Sequence, residues 1–171
     1  LMVAALNAMR VLTDPVETGA ATLCLPQDTQ AEAYDYPDYF LAKRIWHLDR
    51  RPLNPRSLRE ATTLLSKARK PLIIAGGGVH YSHASDTLRD FAETFGIPVG
   101  ETQAGKSAMS WKNSMSVGAI GVTGTSAANL LANEADVVLV VGSRLQDFTT
   151  ASKQIFSPEV KLLHLNVSQY D

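Results

Sequence analysis

The sequence predicts an α/β fold built on a doubly wound, mostly parallel sheet with helices on both faces. Short apolar runs alternate along the chain with segments in which apolar residues recur at helical spacing. That alternation is typical of strands joined by crossover helices, which makes neighbouring strands parallel. The runs are nearly continuous in apolar residues, as expected of strands covered on both faces. Together these observations predict a Rossmann-like sheet.

The first fifty residues give weaker signals. Residues 2–12 are rich in helix formers, and Asp14 ends the predicted helix because a residue before proline avoids the α region. Residues 20–25 form a short apolar run that predicts a buried strand, with Cys24 in its core. Residues 27–49 show no regular period but hold three of the five tyrosines. Because aromatic residues are scarce in disordered chain, this stretch predicts an ordered linker.

Helical signals become regular from residue 53 onward. Asn54 predicts an N-cap followed by a proline at the first helical position. A second helix is predicted over residues 85–95, with Gly96 as its C-cap, and a third opens at residues 121–124 and runs to Glu134. The positions expected to face inward on the first two helices are Leu58, Ala61, Leu64, Leu65 and Ala68, then Leu88, Phe91, Ala92 and Phe95.

Five segments are predicted to form the strands of the sheet. They occupy residues 72–75, 97–99, 115–120, 137–141 and 161–167. His164 alternates with leucines in the last of these runs and is expected to pack as an ordinary strand residue. A polar loop is predicted over residues 101–113, and Trp46 and Trp111 are expected to anchor packing.

Composition and charge exclude several classes of protein. Sixteen basic and 17 acidic residues are mixed along the chain and leave a net charge of -1. No basic run is present, so nucleic-acid binding lacks its electrostatic signature. No apolar run approaches the length of a membrane span. The single cysteine cannot form an internal disulfide, which fits a reducing compartment and predicts a cytoplasmic protein.

Catalytic and metal-binding patterns are absent from the sequence. There is no Ser-His-Asp set and no pair of catalytic carboxylates. His80 and His83 lie three residues apart without further ligands, so a surface role is favoured over a metal site. We therefore expect neither a metal site nor a catalytic residue in this chain.

Glycines follow several of the predicted strands, at the positions where open α/β sheets bind ligands. Residues 76–78 are all glycine, but the third glycine of a dinucleotide-binding fingerprint is replaced by Tyr81. The run fits a tight strand-to-helix turn and a diphosphate contact about equally well. Arg144 follows another strand and is suited to bind a phosphate or carboxylate. Glu101 is the one acidic residue at a strand end that could bind a ribose.

Five segments in order resemble the central domain of the thiamine-diphosphate enzymes of the acetohydroxyacid synthase and pyruvate oxidase group. They read LPQD, KPLIIAGGGV, ETQAGKSAM, ADVVLVVGSRLQDFTT and LLHLNV. The aromatic linker, LPQDTQAEAYDYPDYFLAKRIWHLDRRP, is most similar to the members that open a cyclic diketone in myo-inositol breakdown. The resemblance covers essentially the whole chain.

This resemblance implies a division of the chain into three parts. Residues 1–30 would be the end of a preceding pyrimidine-binding domain, residues 31–52 a linker, and residues 53–171 the Rossmann-like central domain. The sequence begins inside a predicted helix without an initiator Met and stops just after a predicted strand. Both features indicate a fragment of a longer enzyme.

The resemblance also implies where the chemistry lies. Thiamine diphosphate and Mg²⁺ would be bound by other domains, because the family's Gly-Asp-Gly motif is missing here. The complete enzyme would cleave a carbon–carbon bond of a small cyclic diketone and form a homo-oligomer, either a dimer or a tetramer. An acetolactate-synthase-like enzyme, a non-catalytic FAD- or ADP-binding module and a purely architectural domain remain as alternatives.

Family positions carry over to two sets of candidate residues. A substrate channel would include Lys106, Arg144 and Asp147. The chain departs from flavin-binding members after its last strand, where residues 166–169 read Asn-Val-Ser-Gln instead of an Asp-rich tip. That departure argues against FAD. The cofactor-contact positions are Gly76, Gly77, Gly78, Thr102, Gln103, Gly121, Gly124, Arg144, Asn166 and Val167.

Overall fold

The computed structural model describes residues 1–168, so the last residue of the predicted Asn-Val-Ser-Gln tip and the end of the predicted central domain lie outside the described part. The chain forms two compact units, Leu1–Pro52 and Leu53–Asp171. The assignment of residues 1–30 to a preceding domain and of residues 31–52 to a linker stays a prediction.

The first unit contains three helices: α1 (Met2–Thr13), α2 (Gln27–Gln30) and α3 (Asp38–Leu41). Helix α1 ends at Asp14, as predicted, and the Asp14 carboxylate accepts hydrogen bonds from the N–H groups of Val16 at 2.8 Å and Glu17 at 2.6 Å. These two donors, Glu17 foremost, lower the pKa of Asp14. In the predicted linker the ring of Tyr36 packs between those of Tyr34 and Phe40, with centroid distances of 5.1 and 5.5 Å.

The predicted strand over residues 20–25 is wrong. This segment has no regular secondary structure and is exposed, and Cys24 is exposed with it rather than buried in a core. The apolar run lacks a neighbour, because none of the strands formed within residues 1–168 pairs with it. Apolarity favours a strand, but a strand forms only where another offers its backbone hydrogen bonds.

A five-stranded parallel sheet forms the second unit, in the order β3-β2-β1-β4-β5. Four strands lie within one residue of the predicted starting positions, whereas β2 begins two residues late. The last strand ends at residue 165 instead of 167. The strands are β1 (Pro71–Ala75), β2 (Val99–Glu101), β3 (Ser116–Ala119), β4 (Val137–Val141) and β5 (Lys161–Leu165).

Two of the predicted helix caps are confirmed. The Asn54 side chain accepts from the N–H groups of Arg56 and Ser57 at 2.9 and 3.3 Å. Gly96 adopts a left-handed φ of +64°. The helices of this unit are α4 (Pro55–Leu65), α5 (Gly78–Tyr81), α6 (Ser85–Phe95), α7 (Ser126–Glu134) and α8 (Asp147–Thr150).

Helix α7 begins later than predicted, and two other helices of this unit were not predicted. Thr125 is the N-cap of α7, since its hydroxyl accepts from the Ala128 N–H at 3.1 Å. The glycine turn at residues 121–124 precedes it. Helices α5 and α8 have four residues each, which is too short for a 3.6-residue period to show in the sequence.

Two hydrophobic cores lie on opposite faces of the sheet. Strand β1 contributes alternate residues to each, as the two-residue side-chain period of a strand requires. One core joins Leu72 and Ile74 to β4 and α7, and the other joins Ile73 and Ala75 to α5, α6 and β2. Helices therefore cover both faces, which confirms the doubly wound α/β fold.

Several residues expected in the core are exposed. Phe95 is 64% exposed and packs against Phe91 with ring centroids 4.9 Å apart. Trp111 is 82% exposed, and the Lys112 ammonium lies 5.4 Å from its ring centroid. His164 is exposed on β5, and no residue of α4 is fully buried.

An apolar groove accounts for part of this exposure. It has a volume of about 630 Å³ and lies between α4, the end of α6 and β5. Strand β5 pairs on one side only within the described sheet, and its residues are mostly exposed. The prediction that the strands are covered on both faces is therefore wrong for this strand. No helix within residues 1–168 is long and apolar enough to cross a membrane.

Candidate functional site

The five strands end at one edge of the sheet, here called the carboxyl edge, which comprises residues 76–78, 102–106, 121–124, 142–147 and 166–167. Strands β2 and β3 lie on one side of β1, and β4 and β5 lie on the other. Successive strands are thus added on one side of β1 up to β3 and on the other side from β4 onward, which makes the boundary between β1 and β4 a switch point. In open α/β sheets this switch point is where ligands bind.

At the switch point the glycines contact each other. The Gly78 N–H donates to the Gly142 carbonyl at 2.9 Å, and the Gly76 N–H donates to the Val141 carbonyl at 2.8 Å. A Cβ on Gly78 would lie 2.6 Å from the Gly142 Cα, and one on Gly76 would lie 2.6 Å from the Ser143 Cβ. The tight-turn interpretation of the three glycines accounts for these contacts without a ligand.

The loop after β2 packs against β1 through Thr102 and Gly105. The Thr102 N–H donates to the Ala75 carbonyl at 2.9 Å, and the buried Thr102 hydroxyl accepts from the Gly105 N–H at 3.1 Å. A Cβ on Gly105 would lie 2.8 Å from the Ala75 carbonyl carbon, so only glycine fits. Gln103 and Lys106 remain exposed on the same loop.

Glu101 holds the far end of this loop. Its side chain is buried, and its carboxylate accepts from the Met109 N–H at 2.7 Å. A ribose-binding carboxylate at a strand end would instead face the ligand. The hydrogen bond to the Met109 N–H therefore accounts for the buried Glu101 side chain as part of the loop structure. His80 lies nearby in this layer, with its Nε2 3.0 Å from the Lys106 carbonyl oxygen.

After β3 the chain turns at Gly121, which has a φ of +103°. The half-buried Asn129 side chain spans this turn, because its Oδ1 accepts from the Gly121 N–H at 3.0 Å and its Nδ2 donates to the Gly121 carbonyl at 2.9 Å. Asn129 was not predicted as a site residue. The one feature of the sequence that indicated a role for Asn129 is its place next to Ala128, on the side of α7 that faces the sheet.

The segment after β4 holds two of the exposed charges of the carboxyl edge. Arg144 and Asp147 are both exposed, and within residues 1–168 the Arg144 guanidinium makes no hydrogen bond or ion pair. Asn166 lies beside this segment, with its Nδ2 donating to the Ser143 carbonyl at 3.4 Å. The Val167 N–H donates to the Asn166 Oδ1 at 2.8 Å.

The structure thus brings the predicted residues to one edge but gives them different surroundings. Backbone contacts between neighbouring loops occupy the glycines, whereas Lys106, Arg144 and Asp147 present exposed charges. No group of three or more His, Cys, Asp or Glu residues in the described chain could hold a metal ion. The predicted cofactor contacts stay a prediction.

Residues 58–171 match the family described as "Thiamine pyrophosphate enzyme, central domain". The chain is 53% identical to the 3D-(3,5/4)-trihydroxycyclohexane-1,2-dione hydrolases of Bacillus thuringiensis (strain Al Hakam) and Bacillus cereus (strain 03BB102). It is 52% identical to the hydrolase of that name from Clostridium tetani (strain Massachusetts / E88). Each match covers 99% of this chain but only 27% of the relative.

Proposed function

Because the chain belongs to the thiamine pyrophosphate enzyme central-domain family, we propose that it is the central domain of a 3D-(3,5/4)-trihydroxycyclohexane-1,2-dione hydrolase. The observation that supports this substrate most strongly is the 52–53% identity to hydrolases of that name over 99% of the chain. The complete enzyme would cleave a ring carbon–carbon bond of the dione with water, during myo-inositol breakdown. We place that enzyme in the cytoplasm as a dimer or tetramer.

We assign thiamine diphosphate and Mg²⁺ to parts of the enzyme outside this chain. The described residues contain no cluster of metal ligands, and the chain has no Gly-Asp-Gly motif. The cofactor would supply the nucleophile that attacks a ketone of the ring. This chain's residues would shape the approach to that centre.

Among the exposed charges, Arg144 is the residue we assign to substrate recognition. Its guanidinium lies at the carboxyl edge without a partner in residues 1–168. A planar guanidinium can donate two parallel hydrogen bonds to adjacent oxygens, which suits both a 1,2-dione and the carboxylate released by ring opening. Lys106 and Asp147 would border the same approach.

We further propose an architectural role for the carboxyl-edge glycines and no nucleotide on this domain. Binding of FAD or ADP at the switch point would require free backbone donors after β1. Two of the three glycine N–H groups, those of Gly76 and Gly78, donate instead to the end of β4, and the Glu101 carboxylate accepts from its own loop. These contacts favour the architectural alternative over the FAD- or ADP-binding module.

The assay for the proposed function is ring opening of the dione by the full-length enzyme. We expect turnover that requires added thiamine diphosphate and Mg²⁺. Condensation of two pyruvate molecules without ring opening would overturn the proposal in favour of an acetolactate-synthase-like enzyme.

Substitution of Arg144 tests its assigned role. We expect Arg144→Ala to raise KM about tenfold, the loss of one charge-assisted hydrogen bond of about 1.4 kcal/mol. Lys153→Ala, which removes an exposed cation that follows α8 and lies outside the carboxyl edge, is the control. An unchanged kcat/KM in Arg144→Ala would remove Arg144 from the substrate path.

A further inference from the structure

We propose that Asn129 is a positioning residue that holds the segment containing Arg144 in place through the turn at Gly121. The inference rests on the proposed function, because it takes Arg144 to contact the substrate. It concerns a side chain on α7 that lies outside both predicted sets of site residues.

Asn129 contacts Gly121 through its side-chain amide. The amide bonds to both the N–H and the C=O of Gly121, at 3.0 and 2.9 Å, and the Gly124 N–H donates to the same C=O at 2.9 Å. The φ of +103° at this glycine is one that other residues rarely adopt. A backbone held at both its donor and its acceptor has little freedom to change that conformation.

The turn at Gly121 contacts α8. The Val122 N–H donates to the Phe148 carbonyl at 2.9 Å. Gly121 also lies directly against the backbone of α8, since a Cβ at this position would lie 2.8 Å from the Thr149 Cα. The turn that Asn129 holds is therefore the surface on which α8 rests.

Buried residues connect α8 to the segment that contains Arg144. Thr150, at the end of α8, is 2% exposed, and Leu145 packs against the core on the α7 face of the sheet. Leu145 has a φ of +48°, so the backbone beside Arg144 is strained and depends on its surroundings. Arg144 itself is exposed and has no partner within residues 1–168 that would hold it otherwise.

The consequence is that Asn129 restricts the backbone from which the Arg144 side chain extends. Without the two hydrogen bonds from Asn129, only backbone hydrogen bonds would hold the turn, and the turn and α8 would be less rigid. Arg144 would then spend less time in the geometry that binds the substrate. Such a loss of preorganisation weakens binding without removing a contact.

The experiment uses the full-length enzyme with Asn129→Leu, which is similar in size and removes both hydrogen bonds. Asn133→Leu is the matched control, because Asn133 is exposed one turn further along α7. We expect Asn129→Leu to raise KM about fivefold or more with kcat changed less than about twofold, and Asn133→Leu to change neither. Asn129→Asp keeps an acceptor for the Gly121 N–H and should fall between them.

A double-mutant cycle distinguishes positioning from a general structural effect. If Asn129 acts through Arg144, Asn129→Leu should change KM less than about twofold when Arg144 is already alanine. Hydrogen exchange of the full-length enzyme should show faster exchange at Val122 and in α8, with β1 and β4 unchanged. Additive effects on KM, or unchanged exchange at both places, would overturn the proposal.

The exchange measurement also separates this inference from the proposed function. If the wild-type enzyme failed to open the dione, the proposed function would be wrong. Faster exchange at Val122 and α8 in Asn129→Leu would still support the mechanical link. Should Asn129→Leu not fold, the same comparison is made with Asn129→Asp.

Discussion

Gly78 and Gly142 lie in direct backbone contact at the switch point between β1 and β4. The Gly78 N–H donates to the Gly142 carbonyl at 2.9 Å, and a Cβ on Gly142 would lie 2.5 Å from the Gly78 Cα. Because two backbones meet there, the crevice between β1 and β4 is filled by the chain itself. This contact is the basis of the architectural role that we propose for the carboxyl-edge glycines.

Gly142→Ala should destabilise the chain on the order of 3 kcal/mol, because its φ of +59° and the overlap with Gly78 both oppose a Cβ. Gly96→Ala is the control, since Gly96 has a φ of +64° but open space around it. That control should lose about 1–2 kcal/mol from backbone strain alone. Urea unfolding followed by circular dichroism measures both. Equal losses would show that the contact between the two glycines is unimportant.

Replacing Glu101 should loosen the loop that follows β2. In Glu101→Ala the buried Met109 N–H loses its acceptor, with an expected cost of about 2 kcal/mol in unfolding free energy. Glu101→Gln keeps a side-chain oxygen at that distance and should cost clearly less. Urea midpoints of the two variants give the comparison. A larger loss for Gln than for Ala would contradict the assigned hydrogen bond.

Asp136 joins the starts of β1, β4 and β5, and its contribution should depend on pH. Its carboxylate accepts from the N–H groups of Arg69 at 2.7 Å and Lys70 at 2.9 Å. The Arg69 N–H lowers the pKa of Asp136 most; partial burial opposes that shift, and the Lys70 N–H adds to it. A lowered pKa in the folded state means that the ionised carboxylate stabilises the fold.

This contribution is fully present above the unfolded pKa of about 3.9 and is lost as the pH falls through the lower folded value. Asp136→Asn should therefore cost about 1 kcal/mol at pH 7, allowing for solvent screening, and less below about pH 4. Unfolding free energies at pH 7 and pH 3.5 test this. Glu159→Gln removes an exposed carboxylate as a control. A cost for Asp136→Asn that grows towards low pH would contradict the assignment.

The sequence predicted the central strands well and the margins of the domain poorly. Strands β1 and β4 are continuous apolar runs covered on both faces, so composition alone located them. Residues 20–25 also form a short, mostly apolar run, but a strand needs a neighbour and they have none among residues 1–168. Phe95 and His164 were expected to pack inward but are exposed. Periodicity predicts which way a side chain faces, and it does not predict whether another element covers that side chain.

The candidate site shows a similar division. Glycines after strands predicted the carboxyl edge, since close approach of backbones leaves a clear mark in sequence. The glycines alone did not show that each of these loops approaches a neighbouring loop. Asn129 could not be predicted, because its role depends on Gly121, eight residues earlier, lying against its side chain in three dimensions.

The most direct test of this account is thermal unfolding of the chain with and without excess thiamine diphosphate and Mg²⁺, ADP or FAD. A ligand that binds only the folded state stabilises it by about 2.7 kcal/mol at a hundredfold excess over its Kd. We predict an unchanged unfolding temperature with all three, as expected of an architectural central domain. A rise with thiamine diphosphate would contradict the assignment of its site to other domains. A rise with ADP or FAD would contradict the packing role of Gly76, Gly78 and Gly142.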